Sequence, residues 1–414
     1  MHRRSWGRST AGFLAGGAAV LLAATTAVAV FVAVDLYGGV VRSPGAALQN
    51  EDVLDGVPDI GAMEGGLTFF LAGSDKRPED GSFGDPAEES GVLNDVNMLL
   101  HISQDHSHVE VVSFPRDLLV DVPECPDPAG AEGETLPAQS EVKLNSVLHH
   151  GGIGCVVATV EQLTGLVIPV AGVVEFYGVA ALAEAVGGVE VCLAEPVEDD
   201  WSGLHLDAGT HTISGMTALA FLRTRHGVGD GSDLGRISNQ QVFLSSLMRT
   251  IQRDGVLGDP VKLYSIAKAV LENMQLSNRL QNPATLISIA RTLQDVDLGR
   301  VAFIQYPTVY TSDLTALIPA ESAEVLMAAL RDDVPVQLSP EAATSSPFGT
   351  VPGEQAVAPQ AEASGPPVEA PDEETDAAAP TVDATPEATP PRVLPGDVPG
   401  QTGADVRCST ANDG

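Results

Sequence analysis

Between residues 62 and 338 short apolar runs alternate with longer stretches of helix-spaced apolar positions. Residues 67–73 form a compact apolar run that ends in small residues, the pattern of a buried strand. Residues 96–102, 109–114, 170–174, 189–193 and 301–305 repeat that pattern. Helices are predicted over 144–150, 155–163, 176–186, 214–222, 233–253, 259–275, 283–295 and 320–331. Gly151-Gly152 separates the first two, and Gly187-Gly188 closes the third with permissive backbone. Ser214 is a candidate N-cap for the fourth. Strands and helices alternate, which predicts an α/β fold with helices on both sides of a central sheet.

The two ends of the chain break this pattern. Arg3, Arg4 and Arg8 precede a stretch from Ser9 to Val34 without a charged residue. At ~1.5 Å rise per residue it is longer than the ~30 Å of bilayer hydrocarbon. Residues 9–34 are therefore predicted to be a single-pass membrane anchor, with residues 1–8 cytoplasmic and the rest outside. A cleaved signal peptide is the competing reading, because Ala27-Val28-Ala29 resembles a cleavage site. Residues 35–61 read as a juxtamembrane linker. At the other end, residues 339–414 are rich in Pro, Ala, Thr and acids and poor in large apolar side chains. Such a segment is predicted to stay disordered, since it cannot offset its ordering entropy.

Charge and cysteine content narrow the chemistry. The formal net charge is −35, so the general surface repels nucleic acid and anionic headgroups. A phosphorylated ligand would need a local basic cluster or a bridging cation. Cys125, Cys155, Cys192 and Cys408 form no CxxC pair and lack histidines at zinc-ligand spacing. Outside the cytoplasm they can form disulfides. Cys125 and Cys155 flank a Pro/Gly/Glu-rich insertion at 123–141, read as a long loop that a bridge would pin. Cys192 and Cys408 could also pair, but nothing in their spacing requires it.

Arginine is scarce, so its clustering is informative. Arg223, Arg225 and Arg236 fall in one glycine-rich stretch with Asp230 and Asp233, and Gln240-Gln241 follows. Guanidinium forks suit the oxygens of a pyrophosphate. The same residues also suit a surface loop of ordinary Arg–Asp ion pairs. Arg116 lies in Ser113-Phe114-Pro115-Arg116-Asp117 at a strand end, where ligands bind in open α/β sheets. An Arg116–Asp117 turn is the alternative there. Asp75 ends one predicted strand and Asp95 opens the next. If those strands are antiparallel neighbours, the two carboxylates meet and suit Mg²⁺ or Mn²⁺. No GxSxG, Walker or GxGxxG motif supports a serine hydrolase, an NTPase or a dinucleotide enzyme.

Taken in order, Leu71-Ala72-Gly73-Ser74-Asp75, Asn94-Asp95-Val96-Asn97-Met98-Leu99, Ser113-Phe114-Pro115-Arg116-Asp117 and Lys143-Leu144-Asn145 resemble motifs of the LytR-CpsA-Psr family of wall glycopolymer transferases. Gly187-Gly188-Val189, Arg223-Thr224-Arg225 and Asp230 through Arg236 with Gln240-Gln241 continue the match. The resemblance implies a three-layer α/β/α sandwich around a central mixed sheet, with a hydrophobic pocket for a polyprenyl tail, over residues 62–338. It implies a phosphotransferase-type enzyme that moves a glycopolymer from a polyprenyl-pyrophosphate carrier to peptidoglycan. Asp75 and Asp95 then correspond to Mg²⁺-associated carboxylates. Arg116, Arg223, Arg225 and Arg236, with Gln240, correspond to the pyrophosphate-binding set. Asp233 matches an acid that could be a base or an arginine-orienting group. Two positions depart from the family: Leu93-Asn94-Asp95-Val96 stands where Arg-Ser-Asp-Thr is frequent, and Asn239 stands where a basic residue is frequent. The first loses hydroxyls beside the cation and the second a phosphate contact. A pyrophosphatase using water as acceptor and a non-catalytic carrier-binding or regulatory protein are the alternative functions.

Overall fold

The computed structural model describes residues 65–77, 92–131, 133–253, 255–340 and 390–412, with isolated positions at 35–48, 342 and 349–350. The expected anchor at 9–34 lies outside the described residues. Among the described residues no helix is long and apolar enough to cross a membrane.

The main elements in chain order are β1 (Leu67–Ser74), β2 (Asn94–Ile102), β3 (Val109–Ser113), α1 (Val147–Thr164), β4 (Val170–Val174), α2 (Phe176–Val186) and β5 (Val189–Leu193). They continue with β6 (Val197–Asp199), β7 (Leu204–Leu206), β8 (Gly209–Ile213), α3 (Gly215–Arg223), α4 (Asp233–Arg253), α5 (Pro260–Asn273) and β9 (Met274–Leu276). The last are α6 (Pro283–Gln294), β10 (Val301–Gln305), α7 (Glu321–Arg331), β11 (Gly400–Thr402) and β12 (Arg407–Ser409). Each predicted strand and helix is present. The predicted break at Gly151-Gly152 appears as a kink inside α1, where Gly152 has φ +68, a value an L residue reaches only with strain. Ser214 does precede α3, but its side chain makes no capping hydrogen bond.

Seven strands form a mixed central sheet in the order β9-β4-β1-β2-β3-β10-β11. β1 pairs antiparallel with β2 and parallel with β4, and β3 pairs parallel with β10. Alternation along each strand sends side chains to opposite faces. On one face Phe70, Leu99, Val112 and Ile304 pack with Val156 and Val160 of α1 and Leu326 and Leu330 of α7. On the other, Phe69, Leu71, Val111 and Phe303 pack with α4, α5 and α6 through Leu244, Leu271 and Leu286. The molecule is therefore a three-layer sandwich. A smaller sheet holding β8, β5 and β12 builds a third apolar cluster with Phe221 of α3 and Phe243 of α4.

Two expectations need correction. Residues 123–141 are not a plain loop: Cys125–Pro126 pairs with Thr135–Leu136, and Leu119–Val122 pairs with Gln139–Lys143. The segment 339–414 is not disordered throughout. β11 extends the central sheet beside β10, and β12 pairs parallel with β5. Leu394 and Val398 are buried among the residues of the α1/α7 face. Composition misled here because backbone pairing and a covalent bond, rather than local hydrophobicity, hold this segment. Cys192 bonds Cys408 across 216 residues, and the predicted Cys125–Cys155 bridge is also formed.

Candidate active site

The site lies where β1 and β3 end and β2 begins, beneath the start of α4. β1 and β2 are antiparallel, with Gly73 opposite Val96 and a bulge before Ser74, so Asp75 and Asp95 come to the same edge as predicted. Asp75 Oδ1 accepts a hydrogen bond of 2.7 Å from the Leu93 backbone N–H. Burial pushes the Asp75 carboxyl up; that hydrogen bond opposes the shift and the nearby Asp95 charge adds to it.

Arg116, three residues past β3, donates through Nη1 to both oxygens of Asp95 at 3.0 and 3.1 Å. Its Nε lies 3.6 Å from Asp117 and from Asp233. Burial works against the Arg116 charge, but Asp95 and Asp233 outweigh it and raise its pKa. Arg236, one turn into α4, donates from Nη2 to Asp233 Oδ1 at 2.6 Å and to the Asp95 carbonyl at 2.7 Å. Two aspartates and two arginines thus form one lattice tying the β2 start, the β3 end and the α4 start. Both Arg116 and Arg236 keep a buried Nε that makes no hydrogen bond.

Arg223 and Arg225 approach from the end of α3. Arg223 lies over the Phe176 ring, 4.5 Å from its centroid, a cation–π arrangement. Burial, and after it the nearby Arg77 charge, pushes the Arg223 guanidinium down. A second guanidinium that disfavours the first is a place for negative charge. Arg225 Nε donates 3.2 Å to the Gly231 carbonyl, and Gly231 has φ +73.

Behind these groups lies a cavity of about 620 Å³ lined mainly by apolar atoms. Its walls are Leu71, Met98 and Val174 of the sheet and Val179, Leu222 and Leu244 of α2, α3 and α4. Asp75, Asp95, Arg116, Arg223, Arg225, Arg236 and Gln240 all line it, so all those predicted residues converge. Asp233 stands behind the arginines as their ion-pair partner. Arg236 of the cluster is ion-paired with Asp233 and Arg116 with Asp95, and both also line the cavity.

The donor set bears on a cation. Among the described residues the one group of three close His, Cys, Asp or Glu ligands is Cys125, His150 and Cys155, and its cysteines are in a disulfide. Asp75 and Asp95 supply hard oxygens but no closed cage. A hard divalent ion fits if it completes its shell with ligand and water oxygens.

Two departures take on a different meaning. Asn239 is fully buried, donates 2.6 Å to the Phe221 carbonyl and accepts 2.6 Å from Ser409. It joins α3 to β12 and is not a vacated phosphate contact. Asn94 is also buried and serves the opposite face, donating to Asn97 and to the Leu144 carbonyl. Sequence reasoning missed Asp199 altogether. This carboxylate accepts from Thr224 Oγ1 at 2.6 Å, Trp201 N at 3.0 Å and Arg225 N at 3.4 Å. Burial pushes its carboxyl up, but the hydrogen bonds from Thr224, Trp201 and Ser202 outweigh that and leave its pKa lowered. Arg77 and Trp201, which also line the cavity, were missed too. The one sequence signal was the placement of Arg77 two residues after Asp75.

The chain is similar to several known proteins. The chain is 29% identical over 273 residues to the cell wall biosynthesis protein LcpA of Corynebacterium glutamicum, covering 61% of this chain and 52% of that protein. It is 31% identical over 210 residues to the probable cell wall biosynthesis protein LcpB of the same organism, covering 49% and 46%. The chain thus spans about half the length of these two relatives. Polyisoprenyl-teichoic acid–peptidoglycan teichoic acid transferase TagT of Bacillus subtilis is 24% identical over 302 residues, covering 71% of this chain and 84% of TagT. Among solved structures, the gbs0355 protein of Streptococcus agalactiae shares the fold with a TM-score of 0.50 at 21% identity, over 65% of this chain and 88% of that one. The model of the LytR_cpsA_psr family matches residues 43–328, and this chain belongs to that family.

Proposed function

We propose that this protein transfers a glycopolymer from a polyprenyl-pyrophosphate carrier to peptidoglycan on the outer side of the membrane. The observation that carries the reading is an apolar cavity of about 620 Å³ with arginines gathered at its charged end. A polyprenyl chain fits the apolar walls and a pyrophosphate fits the arginines. TagT and its relatives, named as teichoic acid transferases to peptidoglycan, support the reaction class.

The acceptor hydroxyl attacks the phosphorus that carries the glycan. An O–P bond forms, the P–O–P bridge breaks, and polyprenyl phosphate leaves with the electron pair. Arg223 and Arg225 bind the pyrophosphate oxygens, while Arg116 and Arg236, which also line the cavity, stabilise the charge that develops. Asp233 orients both of those arginines through its ion pairs. Asp75, whose raised pKa suits a proton acceptor, takes the acceptor hydroxyl's proton, whether or not it also contacts a cation. Mg²⁺ or Mn²⁺ at Asp75 and Asp95 would neutralise negative charge on the leaving phosphate. Residues 9–34 would anchor the domain beside its lipid donor.

The test is a transfer assay with full-length protein, lipid-linked donor and peptidoglycan, reading glycan incorporation and released polyprenyl phosphate together. Release without incorporation would make it a pyrophosphatase. Binding of the lipid without either product would make it a carrier-binding protein.

A further inference from the structure

A second space adjoins the apolar cavity. It is a groove of about 470 Å³, lined mainly by polar atoms and including Arg77, Asp200, Trp201, Ser202 and Arg223. Arg77, Arg223, Trp201 and Ser202 line both spaces, so the guanidinium pair and the indole stand together on the boundary between an apolar chamber and a polar one. A ligand whose phosphates sit on those arginines therefore has two exits. One exit suits a hydrocarbon. The other presents an open indole beside charged and hydroxyl side chains.

Trp201 is 84% exposed, the most exposed large apolar side chain in the described structure. A lone exposed apolar side chain is ordinary by itself, but this one lines both spaces beside the arginine pair. The residue is not loosely placed. It sits in the turn between β6 and β7, and its backbone N–H donates to Asp199, which is 4% exposed. The same carboxylate holds Thr224 and the Arg225 N–H. One buried group therefore fixes the indole platform and the arginine segment relative to each other. The Trp201 ring lies 6.0 Å from the His226 ring at a tilt of 48°, so His226 packs near it without stacking flat.

We propose that Trp201 is the stacking platform for the first sugar of the lipid-linked donor, the one attached to the pyrophosphate; this rests on the transferase reading above. A pyranose offers a face of C–H groups to an aromatic ring and hydroxyls to the neighbouring Asp200, Ser202 and Arg77. A membrane headgroup is the other occupant an exposed indole suits. The acidic Asp200 next to it, 98% exposed in its side chain, and the net charge of −35 disfavour an anionic lipid surface. Trp201 is thus a specificity-determining residue: it reads the sugar, while the arginines read the phosphates.

The test uses full-length protein in detergent with two probes, geranylgeranyl pyrophosphate and the same lipid pyrophosphate carrying N-acetylglucosamine. Trp201→Ala is expected to weaken binding of the glycosylated probe by about tenfold and leave the sugar-free probe unchanged. Trp201→Phe is expected to retain most of the affinity. In a Trp6→Phe background Trp201 is the sole tryptophan, and its emission should respond to the glycosylated probe alone. Equal affinity of Trp201→Ala and the parent for the glycosylated probe overturns the proposal and leaves the transferase reading intact. Equal losses for both probes overturn it in favour of a lipid-facing or structural indole. If neither probe binds the parent protein, the transferase reading and the proposal fall together.

Discussion

Arg116 Nη1 donates to both carboxylate oxygens of Asp95, at 3.0 and 3.1 Å, and so ties the end of β3 to the start of β2. The pair holds a guanidinium at the cavity and keeps its charge through burial. Arg116→Ala removes a phosphate-facing donor and leaves Asp95 with Arg236 alone. Transfer is expected to fall on the order of 10²–10³-fold, the usual effect of losing one preorganised donor. Arg116→Lys is expected to recover little, since a single ammonium cannot hold Asp95 and at the same time keep the Nε contacts to Asp117 and Asp233. The rate of polyprenyl phosphate release checks both, and a wild-type rate in Arg116→Ala would remove this residue from the mechanism.

Asp75→Asn is expected to separate stability from activity. The folded pKa of Asp75 is raised, so the protonated form is favoured in the fold and stability falls as pH rises from 3.8 through the folded value. A neutral amide removes that cost. Calorimetry in EDTA at pH 7 should show a higher unfolding temperature for Asp75→Asn than for the parent, while transfer is lost. Added Mg²⁺ should raise the midpoint of the parent and not of the variant.

The buried His108–Glu110 pair, 2.8 Å apart, predicts a pH dependence away from the site. Burial pushes the imidazole down, but Glu110, aided by Asp333 and Asp105, outweighs it and raises the His108 pKa above 6.5. His101 also faces this cluster, 3.2 Å from Asp333. A raised histidine contributes stability fully below the unfolded value, and that contribution is lost as pH rises through the folded one. Unfolding midpoints of the parent should therefore decline as pH rises above 6.5. Glu110→Gln should flatten that slope, and an unchanged slope would acquit the pair.

The two disulfides are expected to differ. Loop-closure entropy assigns roughly 5 kcal/mol to the 216-residue separation of Cys192–Cys408 and about 3.5 kcal/mol to the 30-residue separation of Cys125–Cys155, as upper bounds. Replacing Cys192 and Cys408 with Ser should therefore cost more in chemical denaturation. It should also loosen the site. The segment after Cys408 holds the arginine loop: Gly229 N donates to the Thr410 carbonyl at 3.1 Å and Asn412 N to the Gly227 carbonyl at 3.2 Å. Faster amide hydrogen exchange at Gly229 in the Cys192/Cys408 variant, and not in the Cys125/Cys155 variant, is the expected signature.

Much of the framework was legible in residue order. Strand and helix positions follow from local periodicity, which depends only on neighbours in the chain. The meeting of Asp75 and Asp95 followed from one assumption, that successive strands pair antiparallel. The arginines declared themselves by clustering in a chain with few basic residues. That Arg116 would join Arg223 and Arg225 at one cavity rested on the family resemblance.

What tertiary structure alone decided are contacts between distant residues with no local signature. Asn239 looks in sequence like a vacant phosphate contact, yet it bridges Phe221 and Ser409, the latter 170 positions away. Asp199 is one acid among many until Thr224, Arg225 and Trp201 converge on it. The segment from residue 392 has a disordered composition, yet it adds a strand to each of two sheets once Cys408 meets Cys192. Local propensity reports the free energy of a segment against its own disorder. Backbone pairing and a covalent crosslink supply free energy from elsewhere in the fold, and no window along the chain contains it.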